Sequence, residues 1–296
     1  MKGFEQRTLP GADGVSINAV VGGSGPPLLL LHGYPQTHVM WHKVAPVLAR
    51  RFTVVATDLR GYGDSGKPPT DADHAPYSKR AMGADQLAVM RSLGFDCFFL
   101  AGHDRGGRVA HRLALDHPDA ISRLAVLDIA PTREMYRGTT MSFAYAYYHW
   151  FFLTQPYDLP ERLIGADPEY YIRRKLTGWS AGGDVSRIFT PEALEEYIRC
   201  FNDPDVVHAS CEDYRASIAI DIAHDDADGG RKLEPPLLCL WGARGVVERL
   251  FDVLALWRSR AETVTGAALS SGHYLAEEVP AETADALVAF FGDQLP

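Results

Sequence analysis

The sequence predicts an open, mostly parallel α/β sheet with helices on both faces and a helical cap inserted after the sixth strand. Three observations carry this. Short apolar runs alternate with helical patterns up to residue 131 and again from residue 231. Residues 132–230 break that rhythm, with no buried-strand pattern and many aromatics at helical spacing. A tight turn, Gly102-His103-Asp104-Arg105-Gly106-Gly107, joins an apolar run to a helical one in the layout of a nucleophile elbow. The expected division is a core of 1–131 with 231–296 and a cap of 132–230.

Residues 4–22 read as two strands around the Gly11-Ala12-Asp13-Gly14 turn. Pro27-Leu28-Leu29-Leu30-Leu31 is apolar on both sides, as in a strand buried in a parallel sheet, and ends in His32-Gly33-Tyr34-Pro35. Trp41, Val44, Ala45 and Leu48 fall at helical spacing and predict a helix over 38–50. Phe52-Thr53-Val54-Val55-Ala56 is the fourth strand. A helix over 78–93, the elbow strand 97–101 and a helix over 105–117 follow. The sixth strand, Leu124-Ala125-Val126-Leu127, ends at Asp128. After the cap come a strand at 236–241, a helix at 250–260, a strand near Glu262-Thr263-Val264, then His273 and a closing helix at 281–292. Ligands of open parallel sheets sit at the carboxyl ends of the strands. His32, Asp104, Asp128 and His273 each follow a strand, so they are expected to converge on one rim beneath the cap.

With 296 residues, 46% of them apolar, the chain can bury a sizeable core. Its net charge of −9 argues against nucleic acid or an anionic membrane as partner. An anionic small molecule would need local positive charge working against that field. Cys97, Cys200, Cys211 and Cys239 lack metal or redox spacing and read as buried apolar residues in a reducing compartment. No apolar leader opens the sequence, and no run reaches the ~20 residues that cross a bilayer, so a cytoplasmic location is expected.

The HG-x-P turn at His32–Pro35, the elbow and the late Ser271-Gly272-His273 together resemble the α/β-hydrolase fold over nearly the whole chain. Asp104 stands at the centre of the elbow, where Ser is common. A carboxylate with an ordinary pKa of ~3.9 is ionised at neutral pH and needs no base to attack saturated carbon. Attack forms an aspartyl ester. His273 can then deprotonate the water that hydrolyses the ester, oriented by a second carboxylate. The backbone N–H groups of Tyr34 and Arg105 are the expected oxyanion donors. The second carboxylate of this fold commonly lies three residues past the glycine that ends the seventh strand, and Gly245 occupies that place. The other position, at the end of the sixth strand, holds Asp128, which is assigned; Asp252 is the rival.

An Asp nucleophile in this fold leaves dehalogenases and epoxide hydrolases. Arg105 follows the nucleophile where Trp is usual in haloalkane dehalogenases and epoxide hydrolases. Arg108 lies at i+3 on the same helix, so both guanidiniums can face one pocket. Two Arg beside a nucleophile point to a substrate carboxylate gripped by charge-assisted hydrogen bonds. The plainer alternative is a pair of structural salt bridges.

With Tyr148-His149-Trp150 and Cys211-Glu212-Asp213-Tyr214-Arg215-Ala216 added, the motifs resemble those of the fluoroacetate (haloacetate) dehalogenase family. The resemblance implies a hydrolase that converts fluoroacetate or chloroacetate to glycolate and halide through the aspartyl ester. It implies that His149, Trp150 and Tyr214 form a halide pocket in the cap. It also implies a small haloacid as partner, a homodimer and no cofactor. On the residues alone, the aromatic stripe 144–152 reads as cap core and Trp150 as packing. Lys175 and Trp179 match cap positions of the family without a role following. Gly107 stands where Ala is common, and His103 is expected to pack on the sheet side. His38, His42, His74, His111, His117, His208 and His224 show no ligand cluster, so no metal is expected. The stretch 242–251 yields no reading. Two rivals remain: an epoxide hydrolase using the same Asp104 and His273 under a tyrosine-rich cap, and a non-enzymatic receptor for a small carboxylate.

Overall fold

Eight strands form one sheet in the computed structural model, which describes residues 1–182 and 184–292. They are β1 (Phe4–Pro10), β2 (Ser16–Gly23), β3 (Pro27–Leu31), β4 (Thr53–Thr57), β5 (Phe98–His103), β6 (Ile121–Leu127), β7 (Leu237–Gly242) and β8 (Val264–Leu269). Their order is β1-β2-β4-β3-β5-β6-β7-β8. Strand β2 runs antiparallel to both neighbours, and every pairing from β4 to β8 is parallel. Leu28, Leu29, Leu30 and Leu31 are all fully buried. Successive strand residues point to opposite faces, so helices must cover both sides of the sheet. Each such leucine contributes about 1.5–3 kcal/mol by leaving water. Strands β5 and β7 are likewise buried along their whole length.

Among the described residues, the chain between β6 and β7 contains nine helices, from Thr132 to Ala227, and no strand. The helix Lys79–Ser92 begins where the Ser78 hydroxyl accepts from the Ala81 N–H, and it packs on the elbow helix Arg105–Asp116. No described helix is long and apolar enough to cross a membrane.

Several local expectations change. In place of one helix over 38–50 there are two short pieces, His38–Trp41 and Ala45–Leu48. Pro46 has no N–H to donate to a preceding turn, so it sits in the first turn of the second piece. The helix at 250–260 is also divided, into Val246–Leu250 and Val253–Arg258, with Phe251 extended between them. The last strand starts at Val264, where the expected one ended. Gly266-Ala267-Ala268 offers little apolar pattern, and pairing with β7 from Leu237↔Val264 to Gly242↔Leu269 sets the strand instead. The four cysteines are unpaired, and Cys97 departs from the buried reading: it is exposed at the start of β5, with Sγ 2.9 Å from Ser122 Oγ.

Candidate active site

The elbow places Asp104 between β5 and its helix with φ 45° and ψ −113°, a conformation that costs energy for a residue with a Cβ. Glycines on either side allow it. A Cβ on Gly102 would run into Gly106 O, and one on Gly106 into His32 O. A Cβ on Gly107 would lie 2.8 Å from Ile129 Cδ1 and 2.9 Å from Gly102 O, which accounts for Gly in place of Ala. The Gly106 N–H donates to His32 O at 2.8 Å, locking the elbow to the end of β3.

His32 is part of that lock. Its Nε2 accepts from the Leu59 N–H at 3.0 Å and its Nδ1 lies 2.9 Å from Gly33 O. Both ring nitrogens are occupied, burial lowers its pKa, and it holds the turn with no part free for proton transfer. The turn aims the Tyr34 N–H at Asp104 Oδ2, 3.1 Å away. Arg105 is the first residue of its helix, so its own N–H has no carbonyl there to bond.

Asp104 is buried. Burial pushes its carboxyl up, but the charges of His273, Arg108 and Arg105 outweigh this and leave it below the usual carboxylate range. His273 Nδ1 lies 2.6 Å from Asp128 Oδ2, while Asp128 Oδ1 accepts from the Gly242 N–H at 2.9 Å. Asp128 therefore has one oxygen fixed by β7 and the other on the imidazole. Burial disfavours the His273 cation, yet the hydrogen bond and charge of Asp128 prevail and raise its pKa. Asp252, the rival, is spent elsewhere, its side chain accepting from the Ala255 N–H at 2.9 Å. His103 lies behind the base. Its ring is 4.5 Å from that of His273, its Nε2 is 2.8 Å from His273 O, and burial drives its pKa down to about 3.

The cap closes over these groups. Asp104, His273, Tyr147, His149, Trp150 and Trp179 line a small cavity beneath it. His149 packs 4.4 Å from Trp179 and 5.6 Å from Tyr214, ring to ring. Burial, with the charge of Lys175 next, keeps it neutral. His149 Nδ1 and Tyr214 Oη are buried with no hydrogen-bond partner among the described residues. Trp179 O accepts from the His273 N–H at 2.9 Å, tying cap to core.

Both guanidiniums are buried, and each is partly engaged by protein groups. Arg105 Nε and Nη2 bond Asp213 Oδ2 and Oδ1 at 2.8 and 2.6 Å, and Nη2 also reaches Ser217 Oγ at 2.5 Å. Arg108 Nη1 donates to Ala130 O and Thr132 Oγ1 at 3.1 and 2.9 Å. What remains is Arg105 Nη1 and Arg108 Nε, buried and without a partner among the described residues. Their Cζ atoms lie 4.1 Å from the Tyr214 ring centre and 4.6 Å from that of Trp150. The salt-bridge alternative thus holds for one edge of Arg105.

A family model described as alpha/beta hydrolase fold matches residues 26–259. A fluoroacetate dehalogenase of a Burkholderia species is 49% identical over 292 residues, covering 99% of this chain and 95% of that one. The chain belongs to the fluoroacetate dehalogenase family of the α/β hydrolases. A soluble epoxide hydrolase of Corynebacterium sp. strain C12 is 36% identical, covering 94% of each chain. A crystal structure from Nostoc sp. PCC 7120, assigned to the α/β hydrolases, superposes on the hydrolase with a TM-score of 0.95. It shares 58% identity and covers 97% of this chain and 98% of that one.

The sequence left some of the hydrolase's pocket unread. Asp213 is the anchor of Arg105, and Lys79 and the Tyr62 hydroxyl both donate to it. Burial raises the Asp213 carboxyl, but Arg105 and Lys79 hold it well below the usual range. Only its place beside Tyr214 hinted at this. Tyr147 and Trp179 line the cavity, and their aromatic spacing reads as ordinary cap core. His208, expected to join no ligand cluster, does meet Glu161 and Glu212. Arg215 Nη1 sits 2.6 Å from one oxygen of each carboxylate, so a guanidinium already supplies the positive charge there.

Proposed function

We propose that this hydrolase is a haloacetate dehalogenase that converts fluoroacetate or chloroacetate to glycolate and halide through an ester on Asp104. The observation that carries the reading is an ionised elbow carboxylate beside four unpartnered buried polar atoms: Arg105 Nη1, Arg108 Nε, His149 Nδ1 and Tyr214 Oη. Buried polar groups are rarely left unpaired, and two guanidiniums near an ionised carboxylate suit a small substrate that carries a carboxylate of its own.

The substrate carboxylate takes the two guanidinium N–H groups. Oδ2 of Asp104 is engaged by the Tyr34 N–H, so Oδ1 is the attacking atom. It displaces the halogen, whose bonding pair leaves as halide toward His149, Trp150 and Tyr214. Water then adds to the carboxyl carbon of the ester and gives its proton to His273. The charge develops on Oδ2, where the Tyr34 N–H already lies and the Arg105 N–H is at hand. Collapse returns the proton from His273 to the departing glycolate oxygen, and the carboxylic acid left on Asp104 then releases the second proton of water to regain its charge. A neutral epoxide would leave the guanidinium groups unpaired.

Fluoride- and chloride-selective electrodes test this on fluoroacetate, chloroacetate and a styrene oxide control. Halide equimolar with glycolate is expected. Turnover of the epoxide with no halide from either acid overturns the reading. A single turnover in oxygen-18 water should place label in Asp104, and unlabelled Asp104 after halide release excludes the ester.

Tyr214→Phe should slow fluoroacetate by about 10²-fold, the scale for losing one donor to developing charge. Bromoacetate should lose much less, because bromide accepts hydrogen bonds weakly and departs readily. An equal loss on both would remove Tyr214 from the halide pocket. Asp128→Asn should lower the plateau by about 10²–10⁴-fold and move the acid limb of the pH–rate profile downward. Hydrolysis needs neutral His273, and the Asp128 charge is what raises its pKa. An acid limb that stays in place would show that another group sets it.

A further inference from the structure

A second cavity lies outside the first. It measures about 690 Å3, and its walls include Tyr145, Tyr148, Arg174, Lys175, Trp179 and Arg249. Trp179 belongs to the walls of both cavities, and its ring lies 4.4 Å from that of His149 and 5.1 Å from Lys175 Nζ. The outer walls contain three cations and no carboxylate. Among the described residues, no acidic group lies within 4.0 Å of Arg174, Lys175 or Arg249. In a chain of net charge −9 this is a local reversal of sign.

Lys175 is the unusual member. It is only 3% exposed, yet its ammonium has no carboxylate or hydrogen-bond acceptor among the described residues. It rests on aromatic faces instead, 3.7 Å from the Tyr148 ring centre and 5.1 and 5.2 Å from those of Trp179 and Tyr171. Such faces offset part of the lost hydration. They leave the outward side of the ammonium without a counter-ion.

We propose that the outer cavity is an anion-binding antechamber, in which Lys175, flanked by Arg174 and Arg249, holds a small monoanion against Trp179 on its way to or from Asp104. The anion is a carboxylate arriving or a halide departing. Which acid arrives rests on the haloacid reading above; the binding of a small monoanion does not.

Burial, then the neighbouring Arg174, brings the pKa of Lys175 down to about 7. The other groups that face it are Arg249, Tyr148, Tyr171 and His149, none of them anionic at neutral pH. Lys175 is therefore only partly charged near neutrality. An anion settling beside the ammonium favours its protonated form, so binding draws in a proton.

Calorimetric titration with bromide, and separately with acetate, in two buffers of different ionisation enthalpy gives both affinity and proton count. Near neutral pH the wild type should take up a proton fraction as either anion binds. Lys175→Arg, always charged, should keep the affinity within about 3-fold and lose most of the uptake. Lys175→Met should lose the uptake and bind about 10-fold more weakly, the scale of one charge contact in a partly wet cavity. Uptake with acetate alone assigns the site to the arriving acid, and uptake with bromide alone to the departing halide. Uptake in Lys175→Arg equal to wild type overturns the proposal, and this variant decides the matter even if Lys175→Met does not fold. Neither anion is turned over, so the outcome stands whichever way the halide-release assay falls.

Discussion

Halide release by His273→Asn is expected to reach about one equivalent per protein and then stop, because formation of the ester needs no base while its hydrolysis does. Asp104 stays ionised in this variant. Burial opposes its charge, and the His273 cation is only one of the groups that offset it; Arg108 and Arg105 remain. The imidazole, by contrast, has no substitute. His103 is the nearest other ring, but burial holds its pKa at about 3 and its Nε2 is occupied by His273 O. The steady-state rate should fall by about 10³–10⁴-fold, the upper range for a positioned general base. Mass spectrometry should find one carboxymethyl group on the peptide that contains Asp104. Continued turnover at the wild-type rate, or a burst with no adduct, would be incompatible with the two-step route.

Asp104→Asn should abolish the burst as well as turnover, a loss of at least ~10⁴-fold for removal of a nucleophile. The substitution is close to isosteric, and an amide oxygen can still accept from the Tyr34 N–H, so the elbow should keep its shape. Only the attacking charge is gone. Residual halide release above about one part in a hundred of wild type, with circular dichroism unchanged, would place the attacking atom on another residue or on water.

What the sequence shows of the site is what local chemistry compels. The elbow glycines are legible because Asp104 cannot hold a positive φ between bulkier neighbours, and Gly102 and Gly107 each make a close backbone approach within the turn itself. Asp128 and His273 are legible because each directly follows a strand of a parallel sheet. The tie of Arg105 to Asp213 is not legible: the partners are 108 positions apart, and nothing local marks Asp213 as the carboxylate that an arginine must find. The same holds for His208, which joins Glu161 only through packing between cap helices. In the core, the unbroken leucines of β3 predict a doubly covered strand with ease. β8, half exposed and rich in small residues, is set by its neighbour's register and carries little pattern of its own.

The carbonyl of Trp179 holds the backbone of His273. The core histidine is thus fastened through its main chain by a residue of the helical insertion, and a backbone shift there would reach the imidazole with no side chain in between.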